Sequence, residues 1–253
     1  MDLIDYQKIN SNTSNHFWYK ARTIAINNFL KQKLKTYSSN RQILEIGCGT
    51  GINIATLNKY GIVTGLDINK DSIQIAKELG CKRIIQADVE KYKLEPNSFD
   101  TICAFDCLEH IKNDHAALEN IYQALKPNGY LFLSAPSYPL LFSSHDIAMM
   151  HQRRYSKNDI LSKFNKVNFV NTEFYYWNSI LLPAIGTVRL IKRLLFMFLR
   201  KVDHKSEAVS HSPILNKLLF TILNIENKII QKKIYLPFGL STFIIAQKNE
   251  TKN

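Results

Sequence analysis

The run Ile43-Leu44-Glu45-Ile46-Gly47-Cys48-Gly49-Thr50-Gly51 constrains this chain more than any other stretch. It is a short apolar segment interrupted by one acid and closed by three alternating glycines. Such a segment reads as a buried parallel strand, and the glycines permit the sharp turn into a helix that an α/β protein places at its ligand edge. Glycine lets the backbone approach a ligand closely, with the N–H groups of the next helix facing its polar atoms. The nicotinamide fingerprint needs glycines at positions one, three and six, but the sixth position from Gly47 is Ile52. That spacing argues against a dehydrogenase. Glu45 would repel a pyrophosphate and attract an ammonium, so the expected ligand carries positive charge.

Two more acids end strand-like runs. Ile62-Val-Thr-Gly-Leu-Asp67 places a carboxylate where it can accept hydrogen bonds from ribose hydroxyls. After a helical segment from Asp71 to Leu79, Arg83-Ile-Ile-Gln-Ala-Asp88 repeats the pattern, and Asp88 can accept from an exocyclic adenine amine.

These segments, followed in order by Phe99-Asp100, Asp106-Cys-Leu-Glu-His110 and Leu125-Lys-Pro-Asn-Gly129, resemble the class I S-adenosylmethionine-dependent methyltransferases over residues 40–135. The resemblance implies an α/β fold with a doubly wound, seven-stranded, mostly parallel sheet, and S-adenosylmethionine as cofactor. It implies that Glu45, Gly47, Cys48, Gly49 and Gly51 lie about the methionine moiety and that Asp67 and Ile68 meet the ribose. Asp88 and Val89 would lie at the adenine, and Phe105 and Asp106 beside the sulfonium.

The 253 residues suffice for one large α/β domain with an appendage. The expected layout is an N-terminal helical cap at 1–39, a cofactor core at 40–177 and 236–253, and a basic amphipathic helical insertion at 178–235. Residues 1–15 are polar and carry two acids, unlike a secretory signal. Cys48, Cys81, Cys103 and Cys107 show no paired metal spacing, which fits reduced thiols and a cytoplasmic location. Residues 1–150 hold 16 Lys and Arg against 15 Asp and Glu, whereas residues 151–253 hold 17 against 6. The basicity is C-terminal, as for a part that meets an anionic substrate or surface, or simply a solvated basic face.

His16-Phe17-Trp18-Tyr19 opens a helix through Leu34, with Arg22 one turn beyond Trp18. Bacterial methyltransferases of this group carry a similar pattern, which implies a lid segment with Arg22 reaching the cofactor. The aromatics either cover the cofactor or anchor the helix to the sheet. The strands expected later are Asp100–Phe105, Tyr130–Ala135, Val167–Trp177 and Ser241–Lys248, with a helix over His115–Leu125, a turn at Lys126–Gly129 and an N-cap at Ser156.

About 60 residues separate the last two strands, far beyond an ordinary loop. Ser179–Lys201 is apolar, but Arg189, Lys192 and Arg193 in its middle each cost about 2.5 to 3.5 kcal/mol at a bilayer centre, so it should lie flat rather than span. Arg200 falls on their flank, with Val188, Ile191, Leu194, Leu195, Phe198 and Leu199 mostly opposite. A polar connector over 202–212 leads to a second helix from Pro213, with Leu215, Leu218, Leu219, Ile222, Ile225 and Ile229 as its apolar stripe. The pair could grip a hydrophobic substrate tail, dock on an anionic membrane, or serve packing and dimerisation.

Methyl transfer asks the protein mainly to align two reactants and exclude water, and an alcohol acceptor gains from a base. The segment after the fifth parallel strand supplies His145 and His151 as candidate bases. Tyr138, Arg153, Arg154 and Tyr155 are candidate acceptor contacts. Asp106, Glu109 and His110 match a segment of ubiquinone-pathway O-methyltransferases that is thought to hold magnesium; here no metal is expected, Glu109 and His110 capping the next helix instead. The expected reaction is O-methylation of a small molecule, sugar or lipid-linked acceptor, the sugar favoured by a resemblance of Tyr138–Tyr155 and Leu236–Ser241 to methyltransferases found with surface-polysaccharide enzymes. An RNA methyltransferase and a non-methylating protein that docks on membranes are the alternatives, with nucleic acid disfavoured.

Overall fold

The computed structural model describes residues 16–199 and 212–250. A seven-stranded sheet runs through its centre, in the order β3-β2-β1-β4-β5-β7-β6. The strands are β1 Gln42–Ile46, β2 Ile62–Asp67, β3 Ile84–Gln86, β4 Phe99–Phe105, β5 Leu125–Pro136, β6 Phe169–Trp177 and β7 Ser241–Lys248. β1 to β5 pair in parallel, while β7 lies antiparallel between β5 and β6. This is the expected doubly wound, mostly parallel sheet with a helical insertion before its last strand.

Among the described residues, eight α-helices accompany it: α1 Phe17–Leu34, α2 Ile54–Leu57, α3 Lys70–Glu78, α4 Asp114–Ala124, α5 Ser144–Ala148, α6 Lys157–Lys166, α7 Leu182–Leu199 and α8 Pro213–Gln231. Side chains set four of their starts, that at Ser156 as expected. His16 accepts from Trp18 N, Asn69 from Ser72 N, Asn113 from Ala116 N and Ser156 from Asp159 N, each relieving an orphan N–H.

Each sheet face has its own core. On one, Ala21, Ile26, Phe29 and Leu30 of α1 meet Tyr175, Trp177 and Phe243 of the antiparallel strands, together with Leu223 and Ile230 of α8. On the other, Leu118 and Ile121 of α4 and Ile160 and Phe164 of α6 pack on Ile102, Leu131 and Ile244. The segment expected as an N-terminal cap is thus a layer of the core.

Two local expectations are corrected. The turn at Lys126–Gly129 lies inside β5: Leu125 pairs with Phe99 and Tyr130 with Thr101, the extra residues being absorbed as a bulge with Asn128 at φ +62°. The apolar stripe expected to define α8 faces the core only in part, through the half-buried Leu219 and Ile222. Its buried face carries Leu223, Glu226, Asn227 and Ile230, while Leu215, Leu218 and Ile225 are exposed. The cause is polar. Glu226 Oε2 accepts from Ser179 N at 2.9 Å and Ile180 N at 3.2 Å, and Asn227 accepts from Trp177 Nε1 and donates to Ala21 O, both at 2.8 Å. Those bonds satisfy groups that would otherwise be buried unpaired, and they fix the rotation of the helix.

Expected features at 1–15 and 200–211, including Arg200 and the connector, lie outside the described residues, as do the side chains of Lys192, Leu194, Leu195, Phe198 and Leu199. Among the described residues, no helix is long and apolar enough to cross a membrane.

Candidate functional site

The carboxyl ends of β1, β2 and β4 gather at the point where the strand order reverses, the usual ligand crevice of an open α/β sheet. Beyond β1 the chain folds back on β2: Gly47 N and Cys48 N both bond Leu66 O, at 2.8 and 3.1 Å. Gly47, Gly49 and Gly51 all take positive φ. A Cβ on Gly47 would strike Cys107 Sγ at 2.6 Å, so that glycine is needed for packing, whereas a Cβ on Gly49 would meet nothing within 4 Å. Gly49 therefore faces open space, into which a ligand can approach the backbone.

Acids line this loop. Glu45 is buried, and its Oε1 accepts from Asn53 Nδ2 at 2.7 Å while Oε2 has no hydrogen-bond partner. Burial pushes its carboxyl up to about 7, partly offset by the Asn53 hydrogen bond and the Arg22 charge. Asp67 accepts from Gly49 N at 2.7 Å and Asn69 N at 2.8 Å and stays half-exposed, and Ile68 beside it is 65% exposed. Asp88 caps its own turn through Glu90 N and lies 3.5 Å from Lys91, with Val89 buried behind it.

Arg22 reaches the same edge from α1. Its Nη2 lies 2.5 Å from Asp106 Oδ2, and its guanidinium packs between the rings of Trp18 and Phe105. Asp106 sits at φ +50°, held by Ser134, whose hydroxyl donates to its Oδ1. Such a conformation in a non-glycine residue is strain of the kind that collects at functional sites. Trp18 also meets Trp177 edge-on at 5.9 Å, so it anchors α1 as well as backing Arg22.

The segment after β5 builds the opposite wall. Asp146, fully buried, accepts from His151 Nδ1 at 2.9 Å and forms an ion pair with Arg154, whose Nε lies 2.8 Å away. Burial alone would raise its pKa, but the His151 hydrogen bond and the Arg154 charge hold it at about 2. His151 Nε2 lies 4.0 Å from Glu109 Oε1, and its ring meets His110 edge-on at 4.8 Å. Glu109 is 1% exposed, and neither of its oxygens has a hydrogen-bond partner. Burial, reinforced by Asp106, pushes its carboxyl well above the usual range, and burial beside His151 pushes His110 down to about 4.

Three residues expected at the acceptor have partners within the protein. Tyr155 is buried, its hydroxyl taken by Leu108 O and Asp114 Oδ2. Arg154 is buried between Asp146 and Ser137 O, and Arg153 is tied to Asp114 and Lys112 O. All three fasten the loop. Tyr138, half-exposed, stacks on Tyr176 with ring centroids 5.7 Å apart, and His145 lies half-buried in the first turn of α5. The sequence reading missed Asn53, whose side chain leaves its capping role to join Glu45 and Arg22, and Ser134, a strand serine with no local signature. The metal segment also gathers differently. Glu109 and His110 come together with His151, one ligand atom of each within 4.8 Å of the others, while Asp106 pairs with Arg22.

A cleft of about 710 Å3 lined by Tyr19, Ile24, Ala55, Leu79 and Phe220 touches the loop at Gly51 and Ile52. None of the strand-end acids lines it.

The residues present fit a cationic, ribose-bearing cofactor: an unpartnered buried carboxylate oxygen at Glu45, open space over Gly49, and an exposed apolar side chain next to the Asp67 carboxylate. Residues 44–133 match the family described as methyltransferase domain. The ubiquinone biosynthesis O-methyltransferase of Photobacterium profundum is 32% identical over 101 residues, which are 37% of this chain and 43% of that protein. The chain spans less than half the length of the curated relatives it matches. Haemonchus contortus phosphoethanolamine N-methyltransferase 2, solved with phosphomonomethylethanolamine and S-adenosylhomocysteine, aligns at a TM-score of 0.56 with 21% identity, over 88% of this chain and 52% of that one. A SAM-dependent methyltransferase from Archaeoglobus fulgidus aligns at 0.54 with 17% identity, over 88% and 93%. The match over residues 44–133 and the order of the sheet make this core similar to those of the class I S-adenosylmethionine-dependent methyltransferases.

Proposed function

We infer that this protein methylates a hydroxyl oxygen of a small acceptor, a sugar or lipid-linked intermediate being the favoured class, with His151 as general base. The observation that carries the reading is the Asp146–His151 pair. An ionised, buried acceptor at Nδ1 fixes the imidazole proton there and leaves the Nε2 lone pair toward Glu109 and the end of β4. When bound, S-adenosylmethionine supplies a methyl group activated by its sulfonium.

The chain's residues then divide the remaining work. Glu45 would take the donor's ammonium, Asp67 its ribose, and Asp88 with Val89 its adenine. The loop from Gly47 to Gly51, with Cys48, would carry the backbone beneath it, and Arg22 and Phe105 would fix Asp106 at the reacting end. His151 Nε2 would accept the acceptor's hydroxyl proton, and Tyr138 and His145 would border the acceptor. A base is what distinguishes oxygen acceptors, since an amine need only arrive unprotonated.

The test is calorimetry with S-adenosylmethionine and S-adenosylhomocysteine, followed by S-adenosylhomocysteine release with panels of sugar, lipid-linked and phenolic acceptors. Replacement His151→Gln should remove turnover and leave donor affinity intact. Turnover that survives this change overturns the base, and absence of donor binding overturns the whole reading.

One observation favours a second reading of the same wall. The unpartnered oxygens of Glu109 beside His110 and His151 form a nitrogen-rich donor set that would suit a transition metal better than magnesium, and the ion would then acidify the acceptor hydroxyl in place of the histidine. Turnover unaffected by chelation removes that reading.

A further inference from the structure

Helix α8 is apolar on two sides, and the fold uses one. Its inner side, with Leu223 and Ile230, closes the core against α1. Its outer side presents Ile214 at 84% exposure and Leu218 at 56%, with Leu215 and Ile225 also exposed, a row spaced to lie along one stripe. Exposed Lys217, Lys228 and Lys232 flank that row, and the single acid of the helix, Glu226, is turned inward onto Ser179 and Ile180. The preceding helix shows the same composition, with Val188, Leu190 and Ile191 exposed. Residues 178–235 as a whole hold ten lysines and arginines against three acids.

We propose that the outer face of α8 binds the surface of an anionic lipid bilayer, lying parallel to it with the apolar row in the headgroup boundary and the lysines on lipid phosphates. The charge decides between occupants. A two-fold contact with a second copy would set the same lysine-flanked row against itself, bringing like charges together with no acid on either face to answer them. A bilayer with anionic headgroups answers all of them, and the apolar row supplies the insertion that charge alone lacks.

The consequence bears on the site. Helix α7 packs against Pro139–Leu141 and α5, and Arg193 Nη1 donates to Leu140 O at 2.5 Å. That is the loop that carries His151, and Leu140, Ile147 and Met150 on it are exposed apolar side chains. Where α7 joins α8 at the bilayer, the acceptor wall is held near the lipid.

The experiment is sedimentation of the full chain with phosphatidylcholine vesicles, with and without about one third phosphatidylglycerol. Binding is expected only to the anionic vesicles, weakening as salt is raised. Leu218→Glu and, separately, Lys217→Glu with Lys228→Glu should each reduce it about tenfold or more, on the basis of roughly fivefold per basic residue at such a surface. Both variants should bind S-adenosylhomocysteine as the parent does, which shows that they fold. The proposal is overturned if the parent fails to sediment with anionic vesicles at low salt, if the variants bind as well as the parent, or if the parent is a dimer that Leu218→Glu dissociates. None of these outcomes touches the methyl-transfer reading, which stands or falls on donor binding.

Discussion

Asp146 holds His151 by its Nδ1 at 2.9 Å, and the same carboxylate oxygen is held by Arg154. A histidine gripped this way has one free nitrogen and one orientation. Asp146 stays ionised down to about pH 2, so its charge holds the ring in place across the whole working range. Asp146→Asn should lower kcat/KM by about two to four orders of magnitude. His151→Gln, which leaves Asp146 and Arg154 paired, should match it in rate without its loss of stability. Steady-state kinetics across pH 5 to 9 on both variants checks this, and a normal rate in either counts against the base.

Gly49→Ala separates the loop's structural role from its ligand role. The new methyl has open space, so the penalty is the left-handed backbone alone, about 1 to 2 kcal/mol. Donor affinity should fall at least about tenfold, because that space is where the donor meets the backbone. Thermal melting and calorimetry read the two effects independently.

Glu45 predicts how stability depends on pH. Its folded pKa, about 7, lies above the 4.5 of a free glutamate, so its contribution is fully present below about pH 4.5 and is lost as pH rises through about 7. The amount is on the order of 3 kcal/mol. The free protein should therefore lose stability across that window, Glu45→Gln should flatten the loss, and saturating S-adenosylmethionine should reduce it by giving the charged carboxylate a cation. Urea denaturation at a series of pH values measures all three.

Removing Arg22 leaves Asp106 facing a largely buried site without its partner. Arg22→Met should cost about 3 kcal/mol, and adding Asp106→Asn should recover part of that loss even though a second polar contact is gone. A double-mutant cycle by denaturant unfolding gives the coupling.

What could be read from the chain and what could not follow a physical line. The glycine loop, the cap at Ser156 and the bounds of β7 depend on neighbours a few positions away, and all were legible. The rotation of α8 was not, because Glu226 and Asn227 find partners 47 and 206 positions distant, and such partners outweigh an apolar stripe that looks complete by itself. The same holds for Tyr155 and Arg154. Their polar groups resemble acceptor contacts until Asp114 and Asp146 are placed beside them. Arg22 lies between the two cases: its spacing from Trp18 was visible, but its partner Asp106 came only with the fold.

Trp177 and Ser241 are paired across β6 and β7, so the helical insertion leaves and re-enters the sheet at a single rung. The backbone of Gly239 presses on Trp177 so closely that a methyl there would fall 2.5 Å from its carbonyl oxygen. So tight a neck leaves the insertion no slack where it joins the sheet, and the seating of its two helices falls to their own packing, α8 on α1 and α7 on the segment after β5.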